Sequence, residues 1–253
     1  MNANPKLEEK LLSQEATRRI SSQLEEVEQI QIEVQTDLLK IFQGQVDAVS
    51  LTGQGLVMQQ QIRVQEINLQ TDSIAVNLVS AIFGQIKLNT PVNVVANIVL
   101  TETDINHALS SKLIRNLVKD WVLDVQGELI NLELQQMQIS LPNHSQIECQ
   151  GKILVKEQDG NQLLDYTAII YPPPNSQSTL LKNFSCIEGT GISVELILAL
   201  IQKLKEIVNL SYFEWEEMKF NLKNLTVQKG KLLLVVEAEV KQIPALVAKI
   251  SEQ

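Results

Sequence analysis

The chain has little of what enzymes and metal proteins use for their chemistry. Its 253 residues include two histidines, His107 and His144, and two cysteines, Cys149 and Cys186. The cysteines form no CxxC pair and neither histidine belongs to an HExxH or HxH pattern, which argues against a metal site. GxSxG, Walker and kinase motifs are missing as well. Because no set of residues can be assigned the required catalytic roles, we expect a protein that is not an enzyme and has no cofactor.

Positive charge is also scarce. The chain has 21 Lys and Arg against 30 Asp and Glu, for a formal net charge of -9. Phosphate binding needs clustered Lys and Arg, so this balance argues against nucleic acid as a partner. It also opposes strong electrostatic adhesion to anionic membrane surfaces.

The chain also lacks long apolar runs. The stretch MNANPKLEEKLLSQEATRRI has no uninterrupted apolar core of the kind that a signal peptide needs. Nowhere does the chain contain a run of about 18 apolar residues, the length that spans a membrane. We therefore expect a cytoplasmic protein with reduced cysteines, and a transient, peripheral contact with a membrane stays open.

Aliphatic residues are abundant. Apolar residues make up 44% of the chain and aromatic residues 4%, which leaves the interior to Leu, Ile and Val. At this length the chain buries an ample core. Such aliphatic interiors suit acyl chains, although most apolar stripes simply pack on one another.

The N-terminal residues show the pattern of an amphipathic helix from residue 6 to about residue 25. The residues near its apolar stripe are Leu7, Leu11, Ala16, Ile20 and Leu24. The stripe is narrow and the polar face is not rich in Lys and Arg, so packing against the protein is favoured over lying on a membrane. We divide the chain into this helix, residues 1–25, and a single α+β domain, residues 26–253.

Two more helices interrupt a series of strand patterns. LTETDINHALSSKLIRNLVKDW repeats apolar residues every four positions from Ile105 to Trp121, and Thr101 or Thr103 can cap it. GTGISVELILALIQKLKEIVNL predicts a helix at about 192–210 that is apolar over more than half its circumference and must therefore be surrounded. Strands are predicted at 27–35, 45–51, 62–70, 74–79, 91–101, 129–141, 146–156, 163–171, 179–187, 217–228 and 231–241.

Three of the strand patterns change the phase of their apolar alternation in the middle. In GELINLELQQMQISLP the apolar residues alternate up to Leu134 and resume in the opposite phase at Met137. IRVQEINL and FNLKNLTV repeat this spacing. One extra residue forms a β-bulge, which bends a strand and keeps its apolar face inside. Three bulges would curl an antiparallel sheet around the helix at 192–210, whereas a chance origin of the repeats is the alternative.

Two stretches carry a resemblance to a known family. FGQIKLNTPVNVVANIVLTETDINHALSSKLI combines a short strand, a proline, an alternating strand and a helix opening with Leu-Thr-Glu-x-Asp-Ile-Asn. Together with GQVDAVSLTGQGLV, it resembles the LmeA-like phospholipid-binding family, which looks related to the tubular lipid-binding (TULIP) superfamily. The resemblance implies a long helix wrapped by a highly curved antiparallel sheet, with a lipid between them. It carries over no ligand residues.

The leading hypothesis is a non-catalytic carrier or sensor that holds a phospholipid or other acyl lipid in an elongated apolar cavity. The residues predicted from the pattern to bind the lipid are Ile130, Leu132, Leu134, Leu196, Leu200 and Leu204. The second hypothesis is an interaction scaffold with a filled core and no ligand. An enzyme that uses lipid as its substrate is the third.

Overall fold

The computed structural model describes residues 7–58, 62–77, 87–111, 121–157, 160–172, 180–187, 194–208, 212–215 and 218–241. The helices are α1 (Leu7–Ser21), α2 (Leu38–Phe42), α3 (Glu102–Leu109) and α4 (Val194–Val208). The strands are β1 (Glu26–Gln35), β2 (Gln45–Val46), β3 (Ala48–Met58), β4 (Ile62–Thr71), β5 (Ile74–Ala75), β6 (Val92–Thr101), β7 (Trp121–Val125), β8 (Glu128–Ser140), β9 (Ile147–Glu157), β10 (Gly160–Tyr171), β11 (Leu180–Ile187), β12 (Tyr212–Trp215), β13 (Met218–Gln228) and β14 (Lys231–Val240).

The fold is α+β with mostly antiparallel sheets, as predicted, and one sheet is curled like half a barrel. Seven strands form a sheet in the order β1-β3-β4-β6-β14-β13-β12. Five strands form a second sheet in the order β11-β10-β9-β8-β7, and β2 pairs with β5. Most strands lie close to the predicted bounds, but β7 and β12 were not predicted.

Two of the three predicted bulges are confirmed. The β8–β9 ladder shifts register between Leu134 and Gln136, where the apolar pattern loses step. The β13–β14 ladder shifts between Leu222 and Asn224. Each extra residue returns the apolar side chains that follow it to the buried face. A further shift, between Thr167 and Ile169 in the β10–β11 ladder, was not predicted.

The bulge predicted in β4 is wrong. The β3–β4 ladder pairs Gln54 with Glu66 and Leu56 with Val64, so its register stays constant. The intervening residue of β3 is Gly55, which has a φ of 56°. The neighbouring strands β1, β3 and β4 all change the phase of their apolar alternation at this row. Because the three strands change phase at the same place, their register is kept without an extra residue in any of them.

The helix predicted from Thr101 to Trp121 is shorter in the structure. Helix α3 ends at Leu109 with Ser110 as its C-cap, and Trp121 begins β7. The amides of Ser110 and Ser111 close the last turn on carbonyls of the helix. Serine disfavours helix interiors because its hydroxyl competes for backbone hydrogen bonds. Residues 112–120, which include the predicted Leu113 and Leu117, lie outside the described residues.

Helix α1 packs against β1, the edge strand of the seven-stranded sheet, through its polar side. Three of its side chains accept hydrogen bonds from alternate amides of this edge: Glu9 from Thr36 (3.1 Å), Ser13 from Val34 (2.9 Å) and Thr17 from Ile32 (3.2 Å). Four residues of helix rise about 6 Å and two residues of strand about 6.6 Å, so the two spacings match. We call this arrangement an edge ladder.

The first turns of α1 point their apolar side chains away from the protein. Leu7 is 71% exposed and Leu11 is 58% exposed, whereas Leu12, Ala16 and Ile20 are half-buried. Packing against the protein was expected of an amphipathic helix, and burial of the apolar stripe contributes to it only in the C-terminal half of the helix. The edge of β1 offers unpaired amides rather than an apolar surface, so polar side chains make the contact.

Two clusters of buried apolar side chains form the core. The first lies between α4 and the five-stranded sheet, and its members are Leu123, Ile130, Leu132, Ile153, Val155, Leu164, Tyr166, Leu196 and Leu200. The second joins the five-stranded sheet to β13 and β14, and its members are Ile139, Leu141, Cys149, Ala168, Val227 and Leu232. Side chains of α3, Ile105 and Leu109, pack against the second cluster.

Candidate functional site

The residues predicted to bind lipid lie in the first cluster, between α4 and the sheet. Ile130 and Leu132 of β8 are buried there together with Leu196 and Leu200 of α4. Leu134, partly buried, packs against the same cluster. The side chain of Leu204 lies outside the described residues. The structure therefore brings five of the six predicted residues into one apolar seam, which we call the helix–sheet seam.

The seam is built from rows of aliphatic residues that pair across the sheet. Leu132 pairs with Val155, and Ile153 pairs with both Leu134 and Leu164. These paired side chains share one face, because the bulge after Leu134 falls beyond them. The sheet thus presents a continuous aliphatic surface to α4.

Helix α4 contacts this surface with one side. Leu196 and Leu200 are four residues apart and both are buried, whereas Leu198 is 60% exposed. The prediction that the helix must be surrounded is not met at Leu198. Ala199 packs against the same cluster and Ile197 is half-buried, so in the described part the contact covers one side of the helix and leaves Leu198 outside it.

An aromatic pair closes one end of the seam. The rings of Tyr166 and Phe184 stack with centroids 6.5 Å apart, and burial raises the pKa of Tyr166. Beneath the Tyr166 ring lies Gly151, where a Cβ atom would come within 2.1 Å of the Gln136 carbonyl oxygen. That carbonyl belongs to the β8 bulge, so the bulge requires a glycine in the neighbouring strand.

Burial favours the protonated form of both cysteine thiols. Burial raises the pKa of Cys149 to about 11, and it also raises the pKa of Cys186. A thiol in that state stays protonated at neutral pH, and the thiolate is the reactive form. Both cysteines are free.

A cavity of about 700 Å³, which we call the polar cavity for its row of polar side chains, lies against the five-stranded sheet beside α3. Its lining includes Gln138, Gln150, Thr167 and Ser185, which pair in one row across four strands. They alternate with buried residues such as Cys149, so they face away from the core. A smaller cavity of about 240 Å³ shares three of these residues. No sequence prediction had identified this site.

The side chains around the polar cavity bond to one another. Ser140 and Gln146 both donate to the Glu148 carboxylate, at 3.2 and 2.7 Å. Gln150 donates to Gln138 at 3.3 Å. The described lining combines hydroxyl, amide and carboxylate groups with the apolar side chains of Ile139, Ala168 and Ile169.

A second edge ladder joins α3 to β8. Leu141 donates its amide to Glu102 at 2.6 Å, and Ile139 both donates to and accepts from the Asn106 side chain at 2.8 Å. Among the described residues, β7 pairs with β8 as far as Leu132, and no described strand pairs with the rest of β8 on that side. The amide of Asn106 completes the backbone hydrogen bonds that a neighbouring strand would otherwise make.

Ion pairs tie the start of α3 to the seven-stranded sheet. Thr101 and Asp104 form a capping box, and the buried Asp104 accepts from Arg63 at 3.2 Å. Arg63 also donates to Glu28 at 2.6 Å, and the hydrogen bonds to Glu28 and then Asp104 raise the pKa of the guanidinium. A Cβ at Gly55 would overlap the Glu28 side chain. The residues of the Leu-Thr-Glu-x-Asp-Ile-Asn motif therefore join the two sheets.

A comparison with known protein families identifies the family of this chain. Residues 6–237 match the family model described as LmeA-like phospholipid-binding. The chain belongs to the LmeA-like phospholipid-binding family. The resemblance predicted from the sequence is therefore confirmed over nearly the whole chain. No curated protein and no solved structure matches it.

The described part of this LmeA-like chain has neither a metal-binding cluster nor a membrane-spanning helix. No group of three or more His, Cys, Asp or Glu residues within it could hold a metal ion. None of its described helices is long and apolar enough to cross a membrane.

Proposed function

We propose that this LmeA-like protein binds a phospholipid or other acyl lipid without catalysis, as a carrier or a sensor. The acyl chains occupy the helix–sheet seam, between the aliphatic face of the five-stranded sheet and α4. Membership of a phospholipid-binding family supports the class of ligand. The observation that carries the choice of site is the one-sided contact of α4, through Leu196 and Leu200, with a sheet face of aliphatic rows.

The energies favour insertion of an acyl chain into this seam. Separating α4 from the sheet exposes Leu196, Leu200 and the sheet side chains beneath them, at about 1.5–3 kcal/mol for each side chain, and an acyl chain between the two surfaces covers these side chains again. An acyl chain with about 14 buried methylenes regains roughly 11 kcal/mol. The exposed Leu198 adds apolar surface for a ligand that extends around the helix. In the bound form we expect the curved sheet to enclose α4 and the lipid together.

The filled scaffold is the second candidate, and the packing of the seam favours it. Val155 and Leu164 are fully inaccessible and Leu132 is 2% exposed. A seam that stays closed would form an ordinary core. The two candidates differ in what happens when a larger side chain is placed in the seam.

Tryptophan substitution distinguishes the two functions. We expect Leu132→Trp, Leu134→Trp and Leu200→Trp to displace lipid and lose binding of a fluorescent fatty-acyl probe, with near-normal melting temperatures. The control is Leu163→Trp, because Leu163 is 49% exposed and alternates with the buried Leu164. Mass spectrometry of extracted lipid identifies the ligand of the parent protein.

The scaffold predicts a different result. Overpacking a closed core destabilises it by about 1–3 kcal/mol, so the three seam variants would melt early. If the parent also carries no lipid and binds no probe, the lipid proposal is wrong.

A further inference from the structure

Five large apolar side chains are exposed at one end of the seven-stranded sheet. Leu38, Leu39 and Phe42 of α2 are 56%, 69% and 78% exposed. Leu7 and Leu11 of α1 are the other two. We call these five residues the apolar tip.

The two parts of the tip are held at the same end by a hydrogen bond. Glu9 of α1 accepts from the amide of Thr36, and the next residue, Asp37, is the N-cap of α2. Leu7 and Leu11 each lie two residues from Glu9 along the helix. The first turn of α1 is thereby fixed beside the start of α2.

The first turns of helix α1 cannot bury their apolar side chains by folding back on the protein. The Glu9, Ser13 and Thr17 side of the helix is occupied by the edge ladder on β1. An amphipathic helix whose polar side contacts its own protein presents its apolar side outward. The ordinary partner of such a side is an external apolar phase.

The exposed charges of α1 are positive but partly neutralised. Its exposed charged residues are Lys10, Arg18 and Arg19, whereas Glu8, Glu9 and Glu15 are half-buried. Glu15 bonds to both arginines, and Glu9 turns to the strand. Lys10 and the outer faces of the two arginines can therefore contact phosphate groups, and Glu15 offsets part of their charge.

The extent of the tip also fits a bilayer better than a second protein. Its five side chains expose on the order of 600 Å² of apolar surface, the upper end of the patches on monomers. A stable dimer buries roughly 800 Å² on each partner. A single exposed turn such as α2 inserts between lipids more readily than it meets a copy of itself.

We propose that the apolar tip docks this protein on a phospholipid bilayer. Helix α2 enters the acyl region, and α1 lies at the level of the head groups with Lys10 and Arg18 toward the phosphates. The proposal extends the proposed function, since the bilayer is the source or the destination of the bound lipid.

Vesicle flotation tests the proposal. The parent should float with phosphatidylcholine vesicles and bind more tightly when phosphatidylglycerol is included at low salt. The combined variant Leu38→Gln, Leu39→Gln, Phe42→Gln should partition about a hundredfold more weakly. The matched control is Leu129→Gln with Leu163→Gln, which removes two exposed apolar side chains from the five-stranded sheet and should bind like the parent.

A local probe reports the depth of insertion. Acyl chains brominated in the bilayer should quench the fluorescence of Phe42→Trp much more than that of Leu129→Trp, relative to the parent. Equal quenching of the two variants would overturn the assignment of the tip.

Other results would also overturn the proposal. One is no flotation of the parent with either vesicle, and another is equal flotation of the triple variant. A parent that sediments as a dimer, with a monomeric triple variant and no flotation, would make the tip an interface between copies.

The proposal that the helix–sheet seam binds lipid is tested separately on the same samples. Its readout is binding of a soluble fluorescent fatty-acyl probe below its micelle concentration, which the triple variant should retain. Lost probe binding with normal flotation refutes the seam and supports the tip, and the reverse result refutes the tip alone.

Discussion

The edge ladder of α3 makes a quantitative prediction for Asn106. Its side chain satisfies both backbone groups of Ile139, at 2.8 Å each, on a stretch of β8 that pairs with no described strand on that side. Asn106→Ala leaves a donor and an acceptor without partners next to the second core cluster. Each such group costs about 1–3 kcal/mol, so for the two groups we expect the free energy of unfolding to fall by about 2–6 kcal/mol. That is a large part of a typical total of about 5–15 kcal/mol.

Urea unfolding measures this loss. The midpoint should fall while the slope with denaturant stays constant, because the surface exposed on unfolding is unchanged. Asn131→Ala is the matched control, since Asn131 is exposed in the same strand, and its effect should stay within about 0.5 kcal/mol. If Asn106→Ala unfolds within 0.5 kcal/mol of the control, side-chain substitution for a neighbouring strand is not what stabilises β8.

Two other predictions concern the five-stranded sheet. Gly151→Ala places a methyl group against the Gln136 carbonyl and the Tyr166 ring, so we expect a loss of about 3 kcal/mol or more; a melting temperature equal to that of the parent would exclude the close approach. Burial raises the pKa of Cys149 from 9.0 to about 11, so the neutral thiol stabilises the fold fully below pH 9 and this contribution is lost as the pH rises to 11. The loss should be about 3 kcal/mol. Urea unfolding between these pH values should show a smaller decline in the free energy of unfolding for Cys149→Ala than for the parent. Part of the decline that remains in the variant comes from the buried Tyr166.

Local patterns in the sequence predicted the features that depend on neighbouring residues alone. The bulges in β8 and β13 follow from the loss of step after Leu134 and Leu222, because a strand with one buried face must correct its phase. The bulge in β4 was wrong because strands β1 and β3 change phase at the same row. That agreement between strands is a property of the sheet and cannot be seen in one strand.

In the candidate site too, local sequence patterns predicted some features, and others depend on the register of the whole sheet. The clustering of Leu132 and Leu200 was predicted because both belong to strongly apolar segments. The polar cavity was missed because Gln138, Gln150 and Thr167 lie in three separate strands and meet only through the sheet register. The edge ladders do have a signal in the sequence, because their side-chain acceptors are spaced four residues apart. This spacing occurs at Glu9, Ser13 and Thr17, and again at Glu102 and Asn106. Their ordinary reading is a solvated helix face, because the partner strand is distant in sequence.

The edge ladders have a consequence for how the protein behaves at high concentration. A free strand edge is a template on which strands of other molecules add, and this addition leads to aggregation. In this chain the amides of Ile32, Val34 and Thr36 are occupied by α1, and those of Ile139 and Leu141 by α3. Helical side chains end the sheet there without extending it, because a helix offers no second row of backbone groups. The same two helices that position the tip and join the sheets therefore also close two edge segments of this strand-rich protein to the strands of other molecules.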